Sequence, residues 1–193
     1  MTGGRFDFST MPVLRTERLV LREILLADTR AVFALFADLE VARFTDTGPF
    51  VDVSEAVEVI DWTAQIYRDR QGMRWAITLA EGDGSLIGTC GYNIWRRRNN
   101  SAVIGYDLMQ RHWGLGLATE AVGAMLDFGF DHMELNRIEA DVTVGNVASQ
   151  RVLEKLGFTE DGLLRQAGHW RNSYHDLLLY SVLREEWLRR TGR

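Results

Sequence analysis

The chain has one cysteine, Cys90, and two prolines among 193 residues, and it has no long hydrophobic run. With a single thiol no disulfide can form within the chain, which fits a reducing compartment. Cys90 lies in an apolar stretch and reads as a small core residue. No apolar segment approaches the length of a membrane span, and Met1 to Met11 lacks the apolar centre of a secretion signal. A soluble, cytoplasmic protein is therefore expected. An excess of positive charge is absent as well: the formal net charge is −5. That argues against binding nucleic acid by phosphate neutralisation and against an acidic membrane surface. The one basic run, Arg96-Arg97-Arg98, precedes Asn99-Asn100 and reads as a solvated loop tip. The four histidines show no His-x-x-x-His spacing, so no metal is expected.

What is present is an ordinary globular balance, 46% apolar and 25% charged, at a length that suits one domain with a full core. Residues 1–12 are polar and Gly-bearing and end at Pro12; they read as a loose arm before a single domain, 13–193. Arg18 to Ile24 alternates as a strand, and Asp28 is placed to cap the helical pattern carrying Val32, Leu35 and Phe36. A short helical turn at Glu40 to Phe44 follows, then a loop through Pro49, then a helix from Ser54-Glu55. Trp75–Leu79, Leu86–Ile94 and Ala102–Leu108 read as three antiparallel strands, and Leu117 to about Phe130 as a helix with its apolar stripe at Ala118, Ala121, Val122, Met125 and Gly129. Arg137–Thr143 alternates strictly. Asn146 caps a short helix that Gly157 ends, Phe158 to Gln166 is a strand, Ala167–Ser173 a loop, and Tyr174–Leu183 the last strand. Together these give a mixed α/β sheet with helices on its faces.

Between the strand ending at Leu108 and the helix starting near Leu117 lies Gln110-Arg111-His112-Trp113-Gly114-Leu115-Gly116-Leu117-Ala118-Thr119. Glycines at this junction let the chain turn sharply and let an anion reach backbone N–H groups. The helix that follows supplies free N–H groups and the positive end of its dipole, so the stretch has the makings of a pyrophosphate cradle. The same glycines would also serve a mere tight connection. The spacing is not Gly-x-Gly-x-x-Gly, and no lysine stands where a nucleotide P-loop needs one.

The spacing Arg111-x-x-Gly114-x-Gly116 resembles the acetyl-coenzyme A loop of the GNAT superfamily of N-acetyltransferases. Further stretches carry the resemblance to its ribosomal-protein N-terminal acetyltransferase branch: Arg15-Thr16-Glu17-Arg18-Leu19-Val20-Leu21-Arg22, Ile104-Gly105-Tyr106, Asn136 to Ala140, and Asn146-Val147-Ala148-Ser149 through Lys155-Leu156-Gly157-Phe158. The closing Tyr180 to Trp187 is similar too, so the likeness runs from about Leu14 to Trp187. It implies an α/β fold of the α+β type: a mixed, mostly antiparallel central sheet, splayed between the strands ending at Leu108 and Thr143, with helices on both faces. It implies acetyl-CoA as co-substrate. Its pantetheine arm would lie in the opening against Leu108, Met109 and Gln110, with Asn146 bonding it, and its pyrophosphate would meet N–H groups from Arg111 to Ala118. The candidate cofactor-binding residues are thus Leu108 through Thr119, with Asn146 and Ser149.

Direct transfer from a thioester needs a neutral amine, a donor for the oxyanion and help for the leaving thiolate. The resemblance places the oxyanion donor at the N–H of Met109. Leu153 stands where many GNAT proteins carry a tyrosine acid, and the branch's serine is present as Ser149. Ser149 either bonds the coenzyme sulfur or only fits a tight helix turn. Val103 stands where the branch often has a glutamate, so the base is left to Asp107, to His169, or to water. Cys90 has no activating neighbour in sequence and no nucleophilic role is expected of it. The acceptor is expected to be a primary amine, an N-terminal α-amine of a protein or peptide, or otherwise a small amine such as a polyamine, amino acid or drug. A non-catalytic acyl-CoA-binding protein is the third reading. Residues 26–70, with Phe33, Phe36, Phe44, Trp62 and Tyr67, and the loop Ala167–Ser173 are expected to line the acceptor side, with few acidic residues at the loop. A monomer or homodimer is compatible with all of this.

Overall fold

The computed structural model describes residues 7–193. The chain runs β1 (Leu14–Arg15), β2 (Leu19–Glu23), α1 (Thr29–Ala37), α2 (Leu39–Ala42), α3 (Val53–Arg68), β3 (Met73–Leu79), β4 (Leu86–Arg96), β5 (Ser101–Leu108), α4 (Leu117–Asp131), β6 (Arg137–Thr143), α5 (Val147–Lys155), β7 (Thr159–Trp170), β8 (Ser173–Leu183) and α6 (Arg184–Thr191). The eight strands form one sheet in the order β1-β2-β3-β4-β5-β6-β8-β7. Every neighbouring pair is antiparallel except β5 and β6, which α4 connects as a parallel crossover. This is the mixed, mostly antiparallel α/β sheet that the sequence implies.

The splay is written in the register. β5 and β6 pair only at Ser101↔Arg137, Ala102↔Ile138 and Val103↔Glu139, and Ile104–Leu108 and Ala140–Thr143 then separate. On the far side of β5 the β4 register slips between Tyr92↔Ile104 and Ile94↔Val103, leaving Asn93 as an extra residue. A bulge bends its strand and increases the local twist. It stands opposite the step at which β5 and β6 part. The Asn93 side-chain nitrogen comes to within 2.7 Å of where a Cβ on Gly105 would stand.

Alternation sorts the strands onto two faces. Cys90, Tyr92, Ile104 and Leu108 pack with Ala121, Val122, Met125 and Leu126 of α4 in the main core. Ala76 and Met109 pack with Val32, Leu35 and Phe36 of α1 and Ile60 of α3 in a second cluster on the other face. The α4 stripe is buried nearly as expected, with Ala118 at its partly exposed edge.

Four expectations change. Asp28 does not cap α1: Arg22 grips both its oxygens at 2.8 Å, and the Leu25 N–H donates to it at 2.9 Å. The loop expected at Ala167–Ser173 is mostly strand, because β7 continues to Trp170 and a two-residue turn, Arg171-Asn172, with φ of +52° and +56°, joins it to β8. Two successive left-handed residues match the twist of a tight hairpin. Arg184–Thr191 forms a final helix that the sequence reading left as chain, anchored by Trp187, whose indole donates to Asp127 at 2.9 Å. The arm expected at residues 1–12 falls partly on residues 1–6, which lie outside the described residues. Beyond them Phe8 packs 5.1 Å from Tyr67, and the Pro12 carbonyl accepts from the Trp75 indole at 2.7 Å.

Candidate active site

The glycine stretch takes the conformation that its residue types require. Gly114 and Gly116 have φ of +74° and +77°, a region that costs an L side chain about 1–2 kcal/mol. From Gly114 to Thr119 no backbone N–H donates to a protein acceptor among the described residues; the first internal bond of α4 runs from Glu120 to Gly116, at 3.0 Å. Six donors and the positive end of a 15-residue helix therefore lie along one short stretch of chain. The expected cradle is narrower at its start. The N–H groups of His112 and Trp113 donate to Met109 and Gln110 at 2.9 and 3.0 Å, within a short helical turn at Gln110–His112, so they are not available. Arg111 donates to the His112 ring at 3.1 Å, and burial together with the Arg111 charge holds that imidazole below its usual range.

A brace that the sequence reading missed holds the loop. Glu120 accepts from the Thr16 hydroxyl at 2.6 Å, from the Arg18 N–H at 2.9 Å and from Arg18 Nε at 2.6 Å. Arg18 Nη1 then reaches the Leu115 carbonyl at 2.9 Å, between the two glycines. The signal was Arg15 to Arg22, whose alternation showed a strand but not its partner. Burial alone would raise the Glu120 carboxyl, but the bonds from Thr16 and Arg18 hold it below the usual glutamate range.

At the opening, one expectation is corrected. The Met109 N–H donates to the Ile87 carbonyl at 2.9 Å, toward β4, so it is not free to meet an oxyanion. Alternation along a strand turns the neighbouring Leu108 amide the other way, into the opening. The Leu108 carbonyl on that edge is held by the Trp113 indole at 2.6 Å. Across the opening Asn146 caps α5, its side-chain oxygen accepting from the Ser149 N–H at 3.1 Å. Ser149 Oγ lies 2.8 Å from the Tyr106 hydroxyl, which also donates to the Ser149 carbonyl at 3.2 Å. Leu153 is fully buried in the main core.

On the opposite face of β5 lies Asp107. Its Oδ2 takes the Arg74 guanidinium and stands 3.4 Å from the Thr89 hydroxyl, while Oδ1 accepts no hydrogen bond among the described residues. Arg74 is buried and held on several sides, donating also to Thr89 at 2.8 Å and Asn93 at 2.8 Å. Burial carries the Asp107 carboxyl above the usual aspartate range, against the pull of Arg74, and the nearby Asp46 charge adds to it. Asp141 of β6, on the same face by alternation with the buried Ala140 and Val142, is raised by burial and by Glu139. The Asp107 and Asp141 carboxylates both lie outside the loop Ala167–Ser173, which itself carries no acidic residue. Val103 is buried. His169 packs 4.7 Å from Tyr174 on the hairpin, and among the described residues no hydrogen bond or ring contact joins it to Asp107 or Ser149. Cys90 is fully buried, which pushes its thiol up to about 12 and leaves no thiolate for chemistry. Among the described residues no group of three His, Cys, Asp or Glu side chains is placed to hold a metal ion, and no helix is long and apolar enough to cross a membrane.

The geometry combines an anion cradle, a strand edge left open beside it, and a hydroxyl and a carboxylate on its two sides. Known proteins share the family and the fold. The acetyltransferase (GNAT) domain family matches residues 18–159. The uncharacterized N-acetyltransferase p20 of Bacillus licheniformis is 39% identical over 92% of this chain and 99% of its own length. The ribosomal-protein-serine acetyltransferase of Escherichia coli is 32% identical over 51% of this chain and 55% of its own. Among solved structures, RimJ of Mycobacterium smegmatis in complex with CoA-disulfide superposes with a TM-score of 0.79 at 27% identity, covering 94% of each chain. The chain belongs to the GNAT family of acetyltransferases.

Proposed function

We propose that this acetyltransferase moves the acetyl group of acetyl-CoA directly to a primary amine, the N-terminal α-amine of a protein or peptide. The observation that carries the reading is the unpaired edge of β5, from Ile104 to Leu108, running straight into a loop with six free N–H groups. An extended pantetheine arm can add to such an edge as a strand does, with its pyrophosphate on Gly114 to Thr119. Within that stretch Leu108 to Arg111 form the approach to the cradle, and Asn146 and Ser149 form the opposite wall. His112 and Trp113 shape the turn through their own internal bonds.

In the transfer step the neutral amine's lone pair attacks the thioester carbonyl carbon. A C–N bond forms, the C–S bond breaks, one amine proton departs to the base, and the coenzyme leaves as a thiolate that takes its proton from water after the step. The Leu108 N–H is the donor left to meet the developing oxyanion. Asp107 takes the amine proton on its free Oδ1, directly or through one water, and the burial that raises its carboxyl makes it a stronger base than an ordinary aspartate. Ser149 donates to the departing sulfur. Asp46 and Asp141 favour a cationic acceptor on that side. The protein-terminus acceptor is favoured by the likeness to the ribosomal-protein-serine enzyme.

The test is thiol release from acetyl-CoA against a panel of N-terminal peptides, the same peptides with blocked α-amines, and small amines including spermidine and free amino acids. Turnover that needs a free peptide α-amine supports the reading. Preference for a polyamine or amino acid reassigns the acceptor. Tight acetyl-CoA binding with no turnover on any amine would point to a non-catalytic binding protein.

A further inference from the structure

We infer that Tyr106 is a positioning residue for acetyl transfer, holding the Ser149 hydroxyl so that its proton points at the coenzyme sulfur. The inference rests on the role just proposed for Ser149 and names what makes that serine effective. Tyr106 sits on β5 beyond the last residue paired with β6, and its side chain crosses the opening to reach the first turn of α5. Its hydroxyl lies 2.8 Å from Ser149 Oγ, which has no other hydrogen-bond partner among the described residues.

Either hydroxyl can donate in this contact, and the Tyr106 proton has a second acceptor in the Ser149 carbonyl at 3.2 Å; the inferred arrangement sends it to Oγ, the shorter contact. A serine hydroxyl has one proton and two lone pairs, and a phenol has one proton to give. When Tyr106 donates to Ser149 Oγ, the serine proton is released toward the opening, and the serine rotor loses its freedom. Burial keeps the phenol protonated across the working pH range, so it remains a donor. As charge grows on the sulfur, Ser149 donates to it and Tyr106 donates to Ser149, each bond strengthening the other. Neither residue ends the step without its proton. Leu153 on α5 cannot supply such a group, so the phenol comes from the strand on the other side of the opening.

The experiment compares wild type, Tyr106→Phe, Ser149→Ala and the double variant for kcat, for acetyl-CoA affinity by calorimetry, and for thermal stability. Tyr106→Phe should lower kcat about 5–20-fold while Kd for acetyl-CoA stays within about twofold. In the Ser149→Ala background the same change should lower kcat less than about twofold, because there is no hydroxyl left to orient. An equal loss in both backgrounds would show that Tyr106 only supports the fold, and wild-type kcat in Tyr106→Phe would also overturn the inference. The two readings are separable: a defective Ser149→Ala beside a neutral Tyr106→Phe removes this inference alone, whereas wild-type kcat in Ser149→Ala removes the role of Ser149 and, with it, that of Tyr106.

Discussion

Replacing Glu120 with alanine should loosen the coenzyme loop without touching the coenzyme. The carboxylate ties three donors from the β1–β2 turn, Thr16 Oγ1, the Arg18 N–H and Arg18 Nε, and through Arg18 it ties the Leu115 carbonyl. Hydrogen bonds to a charged group contribute about 1.5–3 kcal/mol each. The ion pair itself adds under about 1 kcal/mol, because the Arg18 side chain is 48% exposed. Thr16 keeps a second partner in Leu19 and the half-exposed Arg18 side chain regains water, so the loss is that of one to two bonds at the low end plus the ion pair, about 2–4 kcal/mol. For a chain of this size that lowers Tm by about 5–12 °C. Re-ordering Arg18 and the loop on binding costs about 0.5–1.5 kcal/mol, or a roughly 3–10-fold weaker Kd for acetyl-CoA. Glu120→Gln keeps an acceptor oxygen and should show about half of each effect. The folded carboxyl is depressed, so its contribution is complete above the ordinary glutamate pKa of about 4.3 and is lost as pH falls through the folded value. The stability gap between wild type and Glu120→Ala should therefore close in acid. Calorimetric titration and thermal melts at pH 7 and below pH 4 make the test. A lower Tm with unchanged Kd would separate the brace from the cradle, and no change in either would refute the reasoning.

Other perturbations follow from the same geometry. Gly114→Glu should abolish acetyl-CoA binding while the far-ultraviolet circular dichroism is retained, since a left-handed residue gains a side chain and a negative charge beside the cradle; calorimetry with near-native affinity would count against it. Asp107→Asn should cost about 100-fold or more in kcat/KM at pH 7, as expected for a general base, and a loss under about tenfold would hand the proton to water instead. Its wild-type counterpart should lose rate as pH falls through the raised carboxyl pKa, a limb that the variant lacks. Cys90 should resist a thiol reagent in the folded protein and react once the chain is unfolded; rapid native labelling, or loss of activity on labelling, would contradict its burial and its pKa of about 12.

The strands, the two main helices and the glycine cradle were legible because their signals are local: period-two alternation, period-3.6 stripes, and glycines at a strand–helix junction. What stayed hidden depends on partners or on parity. Asp28 carries the residue type of a cap, but Arg22 on the preceding strand outbids the helix N-terminus for its oxygens. Arg171-Asn172 makes a hairpin turn without glycine, so the sequence around it read as loop. The final helix has one deep anchor, Trp187, and too few apolar residues to show a stripe. Whether Met109 or Leu108 offers its N–H to the opening turns on strand register, and a single residue of register reverses the answer. Tyr106 stood in view within Ile104-Gly105-Tyr106, but only the bulge at Asn93 and the parting of β5 from β6 bring its hydroxyl to Ser149.

A structure of the protein with acetyl-CoA bound tests the central claim most directly. The pyrophosphate should lie within hydrogen-bond distance of N–H groups from Gly114 to Thr119, and the pantetheine arm along Ile104 to Leu108. The thioester oxygen should lie at the Leu108 N–H and the sulfur beside Ser149 Oγ. Coenzyme bound elsewhere, or a sulfur beyond reach of Ser149 with the thioester oxygen pointing away from Leu108, would contradict that claim.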